Sequence, residues 1–206
     1  MSYGSQNIAV YSGSFNPLHI GHLAIIRHMI EVAGFDMVYL IVSPKNPLKD
    51  GISSDSGRER YMAAVEAVER RFLRSGLSAS GRNDSKAVEA KVKVDDIELN
   101  MPEPHYTIRT LDALKEREPD NRFTLVMGAD NLADIRRWRD YTRILKEFGV
   151  AVFPREGHDL TEIKQDLLKE DHAYMIQILD AEMVDISSTQ IRNAIAEGED
   201  ISKYLM

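Results

Sequence analysis

Ser12-Gly13-Ser14-Phe15-Asn16-Pro17-Leu18-His19-Ile20-Gly21-His22-Leu23 decides how the rest of this chain is read. Ahead of it, Ile8-Ala9-Val10-Tyr11 has the length and apolar composition of a buried strand. Behind it, Leu23, Ile26, Ile30 and Ala33 recur at intervals of three and four, which predicts one face of a helix. The stretch is therefore a strand, a tight loop of small and turn-forming residues, and a helix start. Such a loop presents free backbone N–H groups where the helix dipole favours an anion. His19 and His22 are three apart and share one side of the first turn. Imidazoles at an anion-binding helix end point to a site that handles a phosphoryl group. Zinc is the competing use of paired histidines, but helical zinc pairs take i,i+4 spacing with an intervening Glu. The chain also has no cysteine to complete such a site.

The pattern repeats outward. Met37-Val38-Tyr39-Leu40-Ile41-Val42 is a continuous apolar run, predicted as a strand buried on both faces. Strand, helix and strand at this spacing make a βαβ unit, hence an α/β fold with a mostly parallel, doubly wound sheet. Further strands are predicted at Lys91–Val94 (half-exposed), Phe123–Met127, Gly149–Pro154 and Tyr174–Leu179, the last as a candidate edge. Helices are predicted from the capping box Ser56-Gly57-Arg58-Glu59 through Phe72, around Leu111 and Leu114, and across Asp159–Lys169. A second capping box, Ser187-Ser188-Thr189-Gln190, opens a helix through Ile191 and Ile195. Residues 74–90 lose periodicity and fill with Ser, Gly, Asn and Asp, as a flexible excursion would.

Composition narrows the function classes. A chain of 206 residues suits one domain spanning residues 1–206. The formal net charge of −7 argues against the extended basic surface that nucleic acid requires, though not against a small polyanion held by a few local cations. No apolar run approaches the ~20 residues of a membrane span, and Met1–Asn7 lacks the features of a signal peptide. With no disulfide framework either, the expectation is a cytoplasmic protein.

Other candidate residues sit where strands are predicted to end. Lys49 lies in the loop Ser43–Gly51 beyond the second strand, at the sheet edge where ligands of open α/β sheets bind. Asp130 follows the Phe123–Met127 strand at a capping position. Trp138, the only tryptophan, stands among three arginines that disfavour deep burial, and its face could stack on an aromatic ring. Arg192 falls three after Thr189 and four after Ser188, on one side of the last helix start. On capping statistics alone, an ordinary capped helix with a surface arginine is the better account of that last pattern.

Two motifs carry a resemblance. Gly13–His22 resembles the His-x-Gly-His signature of the nucleotidyltransferase superfamily, and Ile186-Ser187-Ser188-Thr189-Gln190-Ile191-Arg192 resembles its Ile-Ser-Ser-Thr-x-Ile-Arg signature. Together, in this order, they are similar to those of the bacterial nicotinate-nucleotide adenylyltransferase family, across nearly the whole length. The resemblance implies a Rossmann-like fold and transfer of AMP from ATP to nicotinic acid mononucleotide, with Mg²⁺ carried by the ATP phosphates and no protein metal site. It implies His19, His22, Lys49 and Arg192 as catalytic residues. Ser14, Phe15, Gly21, Ser187, Ser188 and Thr189 would bind ATP. Tyr106, Thr107, Asp130 and Trp138 would bind the pyridine nucleotide. The chain departs from the family at Leu48 (a histidine in many members), His105 (a serine) and Arg139 (a tyrosine). The same fold acting on the amide nucleotide or on phosphopantetheine, or a non-catalytic nucleotide-binding module, are the alternatives. Neither glycine fingerprint of P-loop or dinucleotide-binding proteins occurs. A homo-oligomer is compatible with the sequence, which does not specify one.

Overall fold

The computed structural model describes residues 4–44, 57–73, 91–181 and 188–205. The two signature regions enclose one sheet of six parallel strands: β1 (Asn7–Gly13), β2 (Met37–Val42), β3 (Val92–Asp95), β4 (Arg122–Gly128), β5 (Val150–Phe153) and β6 (Ile176–Ile178). Their order across the sheet is β3-β2-β1-β4-β5-β6. The described helices are α1 (Ile20–Glu31), α2 (Gly57–Leu73), α3 (Thr107–Arg117), α4 (Ala129–Ala133), α5 (Tyr141–Arg143), α6 (Leu160–Glu170) and α7 (Ser188–Ala196). The expected doubly wound sheet is present, and every described strand pair is parallel.

Apolar runs become strands here because both faces are covered. Ile8 and Val10 of β1 pack into one core with Tyr39, Ile41, Leu125 and Met127, beneath α3, α4 and α6. Ala9 and Tyr11 point the other way, into a second core with Val38, Leu40, Val42 and the apolar face of α1. A period of two thus divides each run between two cores. The edge strands end this pattern: β3 is partly exposed, and β6 shows Gln177 and Ile178 to solvent. The Tyr174–Leu179 expectation is met by a shorter strand at the sheet edge.

Strand order reverses between β1, whose chain continues towards β2, and β4 on its other side. At that switch the carboxyl ends of neighbouring strands lead away from each other and leave a crevice. The chain leaving β1 turns sharply into it. Phe15 adopts φ 43°, in the left-handed region, and its ring is 4% exposed. That conformation costs about 1–2 kcal/mol, and burying a phenyl ring returns about 1.5–3 kcal/mol. The turn is therefore held by the ring's packing against Tyr11, centroids 5.5 Å apart, and against His22 at 5.2 Å.

Several expectations fall outside the described residues: Lys49, Ser187, Ser56 of the first capping box, and the 74–90 excursion. Asp130 is a correction. The N-cap of α4 is Gly128, in extended backbone (φ −81°, ψ 162°), and Asp130 sits within the first turn. Glycine accepts the cap geometry without a side chain, and the exposed Asp130 carboxylate makes no capping hydrogen bond.

Candidate active site

His19 is the N-cap of α1 and His22 its third helical residue. The two rings lie 3.7 Å apart between centroids, and the His19 backbone N–H donates to His22 Nδ1 at 3.2 Å. A neutral imidazole carries one proton, so an accepting Nδ1 leaves that proton on Nε2. His19 is 5% exposed, and its Nδ1 is buried without a partner. Burial lowers the His19 pKa from 6.5 to about 4, helped by the positive charge of Arg155. Burial likewise holds His22 well below the ordinary histidine value, with His19 and Arg155 adding to the effect. Both rings are neutral at pH 7. The floor beneath them is aromatic: Tyr11 meets Phe15, His22 and Phe153 edge-on or tilted, and burial pushes its hydroxyl pKa up.

The loop between β1 and α1 is held from two sides. Arg192 Nη1 of α7 donates to the Asn16 carbonyl at 3.0 Å, and its Nη2 donates to Thr189 Oγ1 at 3.0 Å. Ser188 Oγ donates to the Pro17 carbonyl at 3.3 Å. The i, i+3 and i, i+4 relation read from sequence thus brings Ser188, Thr189 and Arg192 onto the histidine loop. Gly21 is buried in the first turn of α1, and Ser14 precedes the Phe15 turn. Leu205 forms an isolated antiparallel bridge with His19.

A second group lies at the starts of α3 and beyond α4. Tyr106 is the N-cap of α3, in extended backbone, and Thr107 begins the helix. Trp138 follows the short turn Ile135–Arg137, half-buried against the same core as Tyr106, with its Nε1 buried and unpartnered. Arg139 places its guanidinium 6.0 Å from the Tyr106 ring centroid, joining the two segments. The flanking arginines reach outward, Arg136 to Glu170 and Arg137 to Asp134.

Two cations escape a sequence reading. Arg155, beyond β5, forms no ion pair among the described residues and lies 5.1 Å over the Phe153 ring. Its field reaches both histidines, and a Cβ placed on Gly128 would meet Arg155 Nε at 3.3 Å as well as Asp130. Arg60 of α2 is 5% exposed and donates to three backbone carbonyls. A position two residues past a strand was the available signal for Arg155; helical periodicity gave none for Arg60. Among the described residues no cluster of three or more His, Asp or Glu could hold a metal.

A parallel sheet whose switch point holds a helix start with two neutral imidazoles and nearby arginines is the layout of a nucleotidyltransferase. The cytidylyltransferase-like family profile matches residues 10–194, and the chain belongs to that family. A probable nicotinate-nucleotide adenylyltransferase of Flavobacterium johnsoniae is 36% identical over 200 residues, 97% of this chain and 92% of the relative. A protein of the same name from Bacteroides fragilis is 35% identical over 196 residues, covering 95% and 85%. The Plasmodium falciparum nicotinic acid mononucleotide adenylyltransferase complexed with NaAD superposes with a TM-score of 0.72 at 20% identity, covering 97% of this chain and 90% of that one. This last likeness is one of fold. No described helix is long and apolar enough to cross a membrane.

Proposed function

We propose that this protein transfers the adenylyl group of ATP to the 5′-phosphate of nicotinic acid mononucleotide, forming deamido-NAD and pyrophosphate. The observation that carries the reading is the paired-histidine helix start bonded to Ser188 and Arg192 of the second signature. The names of relatives above 30% identity supply the acceptor.

The attacking phosphate is already an anion, so the reaction requires no general base. Positioning and charge stabilisation are what the protein must provide. The His22 Nε2–H is a fixed neutral donor for the α-phosphate, oriented by the bond at Nδ1. His19 and Lys49 help to hold the phosphates. Arg192, Ser187, Ser188, Thr189 and the N–H groups opening α7 take the departing pyrophosphate. In binding ATP, Arg192 exchanges its Asn16 carbonyl for a phosphate oxygen, a stronger charge-assisted bond. Ser14, Phe15 and Gly21 line the ATP side. Tyr106, Thr107, Asp130 and Trp138 receive the pyridine nucleotide, with the indole face against its ring and the N–H groups opening α3 towards its carboxylate. Mg²⁺, when bound, would be held by the ATP phosphates and would supply neutralisation of their charge.

The test is pyrophosphate release with ATP and Mg²⁺, offered nicotinic acid mononucleotide, its amide, phosphopantetheine or no acceptor. Strong preference for the acid is expected. Preference for the amide or for phosphopantetheine overturns the acceptor assignment, and no turnover with any acceptor overturns catalysis.

A further inference from the structure

Arg60 is a charged side chain with an unusual address. It lies on α2, is 5% exposed, and spends its guanidinium on backbone carbonyls. Nη1 donates to Ser14 at 2.7 Å and to Ser43 at 2.8 Å, and Nη2 donates to Pro44 at 2.8 Å. Ser14 lies just beyond β1, and Ser43 and Pro44 lie just beyond β2. These strands are neighbours, and the ladder between them runs one bond past the strands, from the Ser43 N–H to the Gly13 carbonyl at 2.9 Å. There the ladder ends, with the β1 chain leading on towards His19. Carbonyls past the end of a ladder have no strand partner left, and buried ones require another donor. One planar fork supplies it to both chains at once. The helix carrying the fork is itself pressed close: a Cβ on Gly57 would lie 3.0 Å from the Pro44 Cα.

We propose that Arg60 is a positioning residue for adenylyl transfer, which sets the distance between the histidine loop and the β2 exit by binding both. The inference rests on reading the β1–α1 loop as the phosphate site. Arg60 acts through the Ser14 carbonyl, one residue before the strained Phe15 turn that orients His19 and His22. Geometry is what the reaction needs most from this protein, and a displacement of about 1 Å is enough to slow such a step about a hundredfold.

The experiment compares Arg60→Met, which keeps the aliphatic stem, and Arg60→Lys, which keeps the charge without the fork, with the wild type and with Leu167→Ala. Leu167 is buried on α6, in the core on the far face of the sheet, so it controls for lost stability alone. Each variant is assayed for kcat, for KM of ATP and nicotinic acid mononucleotide, and for Tm, at a temperature where all are folded. Arg60→Met is expected to lose about a hundredfold in kcat with KM values within about threefold. Added guanidinium at millimolar concentration should restore part of the rate of Arg60→Met but not of Leu167→Ala. Arg60→Lys should recover Tm further than it recovers kcat, since one ammonium cannot span three carbonyls in a plane. If Arg60→Met fails to fold, the lysine variant alone decides. Wild-type kcat in either folded variant, or a kcat loss that merely tracks Tm as in Leu167→Ala, overturns the inference. Failure of the wild type to release pyrophosphate overturns the phosphate-site reading instead, so the two failures are distinguishable.

Discussion

Acidification is the perturbation that probes the histidine pair most directly. An ordinary histidine, with a pKa of 6.5, is about 90% protonated at pH 5.5, whereas one with a pKa of about 4 is about 3% protonated. His19 is the second kind because it is buried and faces Arg155, and His22 is displaced in the same direction by burial, by His19 and by Arg155. Long-range ¹H–¹⁵N correlation of the imidazoles in the ligand-free protein reports both protonation and tautomer. Between pH 8 and 5, two of the six histidines should show no titration, and one of those should carry its proton on Nε2. Stability is linked to the same protons. Between pH 6.5 and 4 the unfolded chain binds a proton at His19 that the folded chain does not, so stability is complete above 6.5 and declines as pH falls through that window. The full displacement corresponds to about 3 kcal/mol, of which about 2 kcal/mol falls between pH 7 and pH 5. Urea unfolding at pH 7 and at pH 5 measures the difference. An imidazole pair titrating near 6.5, a proton on His22 Nδ1, or stability that rises on acidification would refute the reasoning.

Two further substitutions separate site from scaffold. Gly128→Ala faces no backbone strain, but its Cβ would collide with Asp130 Oδ1 and come within 3.2 Å of the Phe153 ring. The carboxylate must swing away, so KM for the pyridine nucleotide should rise about tenfold (about 1.4 kcal/mol) with kcat little changed; an unchanged KM removes Asp130 from the pocket. Glu98 is 3% exposed, and Thr110 Oγ1 donates to its Oε1 at 2.8 Å while Oε2 has no partner. Thr110→Val should cost about 1–3 kcal/mol, read as a fall in Tm that Thr110→Ser largely avoids; equal Tm values for the two variants would show that the hydroxyl contributes nothing.

What could be read from the sequence followed from local patterns. Met37–Val42 read as a doubly buried strand because alternate residues feed the two cores, and the structure divides them in that way. His19 and His22 stood out because their spacing is itself a piece of helix geometry. Ser188 and Arg192 were legible as one side of a helix start, though not their reach to the carbonyls of Pro17 and Asn16, which lie 171 and 176 residues away along the chain. Arg60 was invisible for the same reason. On its own helix it is one arginine among several, and the chain beyond the ends of β1 and β2 supplies the carbonyls that its buried fork binds. Asp130 misled because aspartate is a good cap; Gly128 serves as one equally well here and spares the carboxylate. Trp138 is half-buried because its neighbouring arginines turn outward to acidic partners, which no window of adjacent residues could specify.

The bonds from Ser188 and Arg192 to the histidine loop have a consequence for synthesis. The loop leaves the ribosome early, within the first βαβ unit, and that unit can begin to pair as soon as β2 emerges. Its carbonyls at Asn16 and Pro17 then wait for donors encoded some 170 residues downstream. A nascent chain arrested before Ser188 can therefore possess most of its sheet and both histidines, yet lack the braces that hold the loop. On the proposed function, the donors that position the histidine loop are the last part of the site to be made, arriving with α7.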